Sequence, residues 1–434
     1  MPERLPATLT AYSLLSTALT PLAPLWLRRR LKRGKEHAAR IGERRGFTHM
    51  ARPRGPLVWI HGASVGELTT VFPLIDRIHG QGFNVLVTSG TLTSAQIAQQ
   101  RLPKGVIHQF VPLDAPRFVR RFLDHWQPDL TLFTESDLWP NLILQSAGRH
   151  VPLILINGRL SPGSFQRWTY LQGTIGGLLR RFDLCLARTP ADAQRFGDLG
   201  APRVVTAGDI KLDVPAPQAN PDKLQLARQA FAGRPVIAAA STHPGEEAAI
   251  IEAHKELARR FPDLLTVVAP RHPERGPGIA EIASVARLSS ALRSRGELPS
   301  NSTAIYIADT IGELGIIYRL APIVFIGGSL VTHGGQNPIE PAKLGAAILH
   351  GPHVHNFAEL YAALDSAHGA EQVSDAGTLT ARMGAWLSDP TARKRVADSA
   401  RTTVESLGGA LERTVAALEP YLLQLRLEYR SNHA

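Results

Sequence analysis

From Leu57 onward, short uninterrupted apolar runs alternate with longer stretches in which apolar residues recur at helical spacing. Runs at Leu57–His61, Phe83–Thr88, Val106–Val111, Asp129–Thr134, Pro152–Ile156, Asp183–Ala187 and Arg203–Ala207 predict strands. Residues 214–221 then break the pattern, with Pro215, Pro217 and Pro221 and no periodicity. It restarts with predicted strands at Val236–Ala240, Leu264–Ala269, Ala304–Ala308, Ile323–Ile326 and Ala346–Leu349. Continuous apolar strands separated by helices belong to parallel sheets covered on both faces. The expected fold class is therefore α/β, with two doubly wound, Rossmann-like domains. The expected boundaries are 1–54 for an apolar segment with a basic collar, 55–213 for the first domain, 214–222 for a linker, and 223–434 for the second domain, whose C-terminal helices could cross back. In such sheets ligands bind beyond the carboxyl ends of the strands, so the chemistry is sought in the loops that follow them.

Composition changes this picture in two places. A single cysteine, Cys185, in 434 residues excludes a disulfide framework and a Cys-based zinc site. The net charge of +11 suggests a nucleic-acid partner until it is located. Between Arg28 and Arg54 lie 11 Lys+Arg against 2 Asp+Glu; after Arg54 the chain is nearly neutral, with 36 basic and 34 acidic residues. The charge is a collar, and no nucleic-acid partner is expected. It follows Leu5–Leu27, an apolar run long enough to span a bilayer but broken by Pro6, Pro21 and Pro24. Positive charge after the run argues against a cleaved signal peptide and would keep the remaining chain cytoplasmic. The prolines favour a segment embedded in one anionic leaflet over a straight span. A helix packed on the protein's own surface is the plainer alternative.

Several loops carry candidate chemistry. In His61-Gly62-Ala63-Ser64-Val65-Gly66-Glu67 a strand enters a small-residue turn and a helix. Ser64 and Glu67 have capping-box spacing, and on spacing alone capping is the more economical reading. A buried carboxylate there could instead deprotonate an acceptor hydroxyl. Glu135 and Asp137 leave a strand end together before Trp139-Pro140; either they share one cavity, where one can hold the other protonated, or they are solvated loop acids. Lys211 ends the first domain. In the second domain Arg271 and His272 could hold a phosphate or a base edge. The segment 309–314 is expected to open a helix with free N–H groups. Glycines 327, 328, 334 and 335, before a helix with Pro338 near its start, read as an anion site. Glu340, one turn in, could accept two ribose hydroxyls. Asp-x-Asp, a Gly-x-x-x-x-Gly-Lys loop and a dinucleotide fingerprint after the first strand are all absent, which removes most of the weight from metal-dependent sugar transfer, ATPase and NAD readings.

In this order the motifs resemble the 3-deoxy-D-manno-octulosonic acid (Kdo) transferases of lipopolysaccharide synthesis. The resemblance is carried by Ser64-Val65-Gly66-Glu67, Leu138-Trp139-Pro140-Asn141-Leu142, Asn157-Gly158-Arg159-Leu160-Ser161, Pro270-Arg271-His272-Pro273-Glu274-Arg275 and Gly334-Gly335-Gln336-Asn337-Pro338-Ile339-Glu340. It implies the glycosyltransferase-B fold, with two domains facing across a cleft. It also implies inverting, metal-independent transfer of Kdo from CMP-Kdo to the lipid A precursor, with no cofactor, at the cytoplasmic face of the inner membrane. Carried over residue by residue, Glu67 matches the catalytic base, and Glu135 and Lys211 match transition-state stabilisers. The CMP-binding segments match Pro270, Arg271 and His272, then Gly312, Glu313 and Leu314, then Asn337, Pro338, Ile339 and Glu340. Asp137 stands where the family usually has a glutamate, so its role is left open. Two other readings compete: a nucleotide-sugar epimerase of the same architecture, which has no use for the collar, and a non-enzymatic membrane-surface binder, which leaves the loops unexplained.

Overall fold

The computed structural model describes residues 5–231 and 233–431. Its strands are β1 (Leu57–His61), β2 (Asn84–Ser89), β3 (Ile107–Phe110), β4 (Leu130–Thr134), β5 (Leu153–Gly158), β6 (Leu184–Ala187) and β7 (Val204–Thr206), then β8 (Val236–Thr242), β9 (Leu265–Pro270), β10 (Ser290–Leu292), β11 (Ile305–Ile307), β12 (Ile323–Ile326), β13 (Ala347–His350) and β14 (Ala370–Gln372). They form two seven-stranded sheets, ordered β3-β2-β1-β4-β5-β6-β7 and β10-β11-β9-β8-β12-β13-β14. The pairings are parallel, as between β1 and β4 and between β8 and β12. Every predicted strand forms. The two that sequence missed, β10 and β14, are three-residue edge strands, too short for a period to show.

The chain divides into two compact units, residues 1–214 with 408–434, and residues 215–407. In the first, alternate residues of β1 enter different cores, as the pleat requires. Leu57 and Trp59 pack with Phe122 and Phe133 on one face of the sheet. Val58 and Ile60 pack with Leu68 and Ile75 on the other, together with Leu418 and Leu422 of the C-terminal helix Ala410–Ser431. Both faces are covered, which is why the strands read as unbroken apolar runs. The second unit has its own core around Ile237, Val268, Ile307, Phe325 and Trp386.

The N-terminal segment is not one rod. It forms a helix Ala7–Leu19, a 3-10 turn Thr20–Leu22 and a helix Ala23–Lys32, with Pro21 and Pro24 each at the first turn of the next element. No helix among the described residues is long and apolar enough to cross a membrane, which corrects the spanning alternative. One face of the segment is seated on the first unit. Leu9 and Leu27 are buried, Tyr12 donates to Asp114 at 3.0 Å, and Ser13 donates to Asn141 at 2.5 Å. A side chain at Gly177 would come within 2.8 Å of Pro6, so the close approach needs glycine there. The opposite face leaves Leu14, Leu15, Leu19, Leu22, Leu25 and Trp26 exposed. The collar divides in the same way. Arg44 is buried against Glu36 and the Gly90 carbonyl, Arg40 pairs with Glu43, and Arg52 pairs with Asp129. Arg28, Arg29, Lys32 and Arg33 remain exposed.

Candidate active site

In the first unit the turn after β1 lifts the chain into the helix Val65–Gly80. The capping box is complete: Ser64 Oγ accepts from the Glu67 N–H at 3.2 Å, and Glu67 Oε2 accepts from the Ser64 N–H at 3.1 Å. Capping does not exhaust Glu67. Burial, then the negative charges of Asp137 and Glu135, outweigh the Ser64 hydrogen bond and raise its carboxyl above the usual range. A carboxylate in that position holds a proton more strongly than a surface glutamate does, and it keeps one oxygen outside the box.

The loop after β4 supplies the other two acids, and neither is a solvated loop residue. Glu135 takes φ 61, a left-handed conformation that costs a non-glycine residue on the order of 1–3 kcal/mol and is found at functional sites. Its Oε1 accepts from Lys211 Nζ at 2.7 Å. Burial alone would raise the Asp137 carboxyl, but His61 and the Trp139 N–H outweigh it and hold it below the usual range. The shared-proton expectation therefore fails for this pair, because each acid has its own partner.

Lys211 is held as firmly as its carboxylate. It lies on the 3-10 turn Ile210–Leu212, and Asp209 accepts from its N–H at 3.0 Å. Asp209 in turn pairs with Arg188 at 2.8 Å. Asn157, buried with φ 52, accepts from the Ile210 N–H at 3.0 Å. The structure thus brings together Glu67, Glu135 and Lys211 from three strand ends. Sequence reasoning gave no role to His61, Asn157 or Asp209. Their positions directly at or after strand ends were the available signal.

The second unit holds the remaining candidates. Pro270 ends β9 and is buried; Arg271 and His272 follow it, exposed, and the Arg271 N–H is anchored on the Thr242 carbonyl at 3.0 Å. His272 packs edge-on against His243, which stacks on His333 at 3.9 Å between ring centres. Burial, then His333, His272, Arg271 and Arg275, lower the His243 pKa. Arg275 is already bound to the buried Glu247.

The glycine-rich anion site needs correction. Glu246 is 1% exposed, and its carboxylate accepts from the N–H groups of His243, Gly328, Ser329 and Leu330 at 2.7–3.0 Å. That part of the loop is filled by the protein's own anion. Gly335 and Gln336 donate to the carbonyls of Gly328 and Gly327. Downstream, Asn337 Oδ1 accepts from the Ile339 N–H at 3.0 Å, and Glu340 is half-buried in the helix Ile339–Lys343.

The expected helix start at 309–314 is also modified. The helix Leu314–Leu320 places Glu313 at its N-cap, and the Ile316 N–H donates to the Glu313 carbonyl. The Glu313 side chain accepts from Arg293, Lys223 and Thr310, and Arg293 foremost pulls its pKa down to about 2. Gly312 is exposed, with φ 86. The Glu313 carboxylate is thus engaged within the protein, which leaves the backbone around Gly312 and the exposed Ile311 side chain.

Two doubly wound units, each a parallel seven-stranded sheet covered by helices, define the class of fold: the glycosyltransferase-B type. Solved structures agree on the fold. A glycosyltransferase from Rickettsia africae gives a TM-score of 0.59 at 12% identity, covering 85% of this chain and 99% of its own. The UDP-GlcNAc 2-epimerase of Neisseria meningitidis gives 0.59 at 13%, covering 84% and 100%. At that identity the likeness shows architecture and not reaction.

Sequence decides the family. Residues 39–214 match the family model described as 3-deoxy-D-manno-octulosonic-acid transferase (kdotransferase). A probable mitochondrial 3-deoxy-D-manno-octulosonic acid transferase of Arabidopsis thaliana is 35% identical over 413 residues, 92% of each chain. The 3-deoxy-D-manno-octulosonic acid transferase of Haemophilus influenzae is 33% identical over 392 residues, 88% of this chain and 91% of its own. The chain belongs to the Kdo transferase family of glycosyltransferases.

Proposed function

We propose that this enzyme transfers Kdo from CMP-Kdo to the lipid A precursor with inversion and without a metal ion. The observation that carries the reading is the division of labour among the acids of the first unit. Of the three acids gathered at this site, Glu135 is paired with Lys211 and Asp137 is held ionised, while Glu67 is the one made more basic. Glu67 takes the proton of the acceptor hydroxyl as its oxygen bonds to the anomeric carbon of Kdo. The bond from that carbon to the CMP phosphate oxygen breaks, and CMP leaves with the electron pair. The proton on Glu67 then passes to solvent. Positive charge developing on the sugar is met by Glu135, with Lys211 fixing the carboxylate and limiting the local negative charge.

In this reading the exposed Arg271 pairs with the CMP phosphate, with His272 next to it in the chain. Pro270, the backbone of Gly312, Glu313 and Leu314, and Asn337, Pro338 and Ile339 frame the nucleoside, with Glu340 accepting the ribose hydroxyls. A single phosphate on the leaving group develops less charge than a diphosphate, which suits cations and backbone N–H groups in place of a metal. Exposed Leu14, Leu15, Leu22, Leu25 and Trp26, followed by Arg28, Arg29, Lys32 and Arg33, suit a segment lying on an anionic surface at the cytoplasmic face of the inner membrane.

The test is transfer from CMP-Kdo to the lipid acceptor, read by mass spectrometry. Glu67→Gln keeps the shape and an oxygen for the Ser64 N–H, so folding should survive while turnover falls by about 10²–10⁴. Near-normal transfer by the folded variant would return Glu67 to capping alone. Activity lost in EDTA and restored by magnesium would refute the metal-free mechanism.

A further inference from the structure

Asp137 and His61 join the two loops that carry the acids, and neither has an assigned role. His61 is the last residue of β1, six positions before Glu67, and is fully buried. Its Nδ1 lies 2.9 Å from Thr88 Oγ1, which also accepts from Trp59 Nε1 at 2.8 Å. The indole can only donate, so Thr88 Oγ1 is the acceptor towards Trp59, and it keeps a hydrogen and a second lone pair to meet His61 Nδ1. On its other side, His61 Nε2 faces Asp137 Oδ2 at 3.4 Å. The same Asp137 oxygen accepts from Trp139 Nε1 at 2.8 Å. A chain of contacts therefore runs from the buried Trp59, Thr88 and His61 to the partly exposed Asp137, and crosses from the β1 turn to the β4 loop.

We propose that Asp137 is a positioning residue for the transfer reaction: clamped by His61 and Trp139, it ties the Glu135 loop to the Glu67 turn and keeps a fixed negative charge beside the base. This rests on the reading of Glu67 as the base. The ionisable groups facing Glu67 are His61 at the end of β1, Glu135 and Asp137 after β4, and Lys211 on the 3-10 turn, which reaches it through Glu135. Glu135 is offset by Lys211, so Asp137 is the acid whose charge bears on Glu67 most directly. The residue is a carbon shorter than glutamate, and His61 Nε2 approaches that shorter carboxylate to 3.4 Å at the strand end.

Asp137→Asn tests this, because it keeps an oxygen to accept from Trp139 and removes the charge. Without that charge Glu67 ionises more readily and is a weaker base. The acid limb of the pH profile of kcat/KM should move down by about one pH unit, with a several-fold lower plateau and an unchanged KM for CMP-Kdo. Asp137→Glu should restore the limb. A profile for Asp137→Asn that superimposes on the wild type overturns the proposal. So does a variant that has lost its near-UV circular dichroism, which would assign Asp137 to the frame. Glu67→Gln measured alongside separates the two readings. If it transfers normally, the base assignment fails; if it is inactive at every pH while Asp137→Asn behaves as wild type, only the role of Asp137 fails.

Discussion

The Glu246 carboxylate offers a demanding check on the second unit. Its Oε1 accepts from the Ser329 and Leu330 N–H groups, and its Oε2 from those of His243 and Gly328. Glu246→Gln conserves volume but turns one oxygen into an NH2 group. Whichever way the amide is oriented, two backbone N–H groups then face a donor. A hydrogen bond to a charged acceptor contributes about 1.5–3 kcal/mol, so losing two of them costs the loop about 3–6 kcal/mol. Set against a typical domain stability of 5–15 kcal/mol, that is enough to open the loop locally without unfolding the unit. A two-unit chain has no single melting free energy, so amide hydrogen exchange by mass spectrometry is the better assay. The peptide containing Gly328, Ser329 and Leu330 should exchange on the order of 10²-fold faster or more. CMP affinity should fall with it, because the same loop leads to Asn337 and Glu340. Glu252→Gln, an exposed change further along the helix Glu246–Ala258 that Glu246 itself opens, is the control. If exchange at Gly328–Leu330 stays within a few-fold of wild type, the carboxylate is not what organises the loop.

Two further outcomes are expected. Burial pushes the Asp114 carboxyl up to about 6, against the N–H groups of Asn141 and Leu142 and the Tyr12 hydroxyl. Between about pH 4 and 6 the folded protein therefore holds a proton that the unfolded chain has lost, and this group's contribution to stability declines as pH rises through that window, by roughly 3 kcal/mol in all. The difference in melting temperature between wild type and Asp114→Asn should fall across it, and a flat difference would refute the assignment. At the N-terminus, Leu14→Ser, Leu15→Ser and Leu25→Ser together should reduce binding to anionic vesicles at least tenfold and leave melting unchanged, since exposed leucines contribute little until something buries them. Leu9→Ser, on the seated face, should instead lower the melting temperature; equal vesicle binding by the triple variant would remove the row from the membrane contact.

Much of this molecule was legible in one dimension. Strands β1 to β9 and β11 to β13 could be read because a strand covered on both faces must be apolar throughout, as Leu57–Ile60 and Ile323–Ile326 are. The break at 214–221 and the loops after the strands followed from that pattern, and so did the family, because its motifs are contiguous. Tertiary structure decided the rest. Spacing could show that Ser64 and Glu67 cap a helix, but not that Asp137 and Glu135 sit close enough to make Glu67 more basic. Nor could it show that Lys211 pairs with Glu135 from 76 residues away, or that Glu246 fills the glycine loop 82 residues downstream. A charge acts through space and a hydrogen bond through a few ångströms, and neither leaves a period in the chain. The same holds for the N-terminal segment: its composition reads as membrane-seeking throughout, and only packing against Asp114, Asn141 and Gly177 separates the face the protein keeps from the face it leaves exposed.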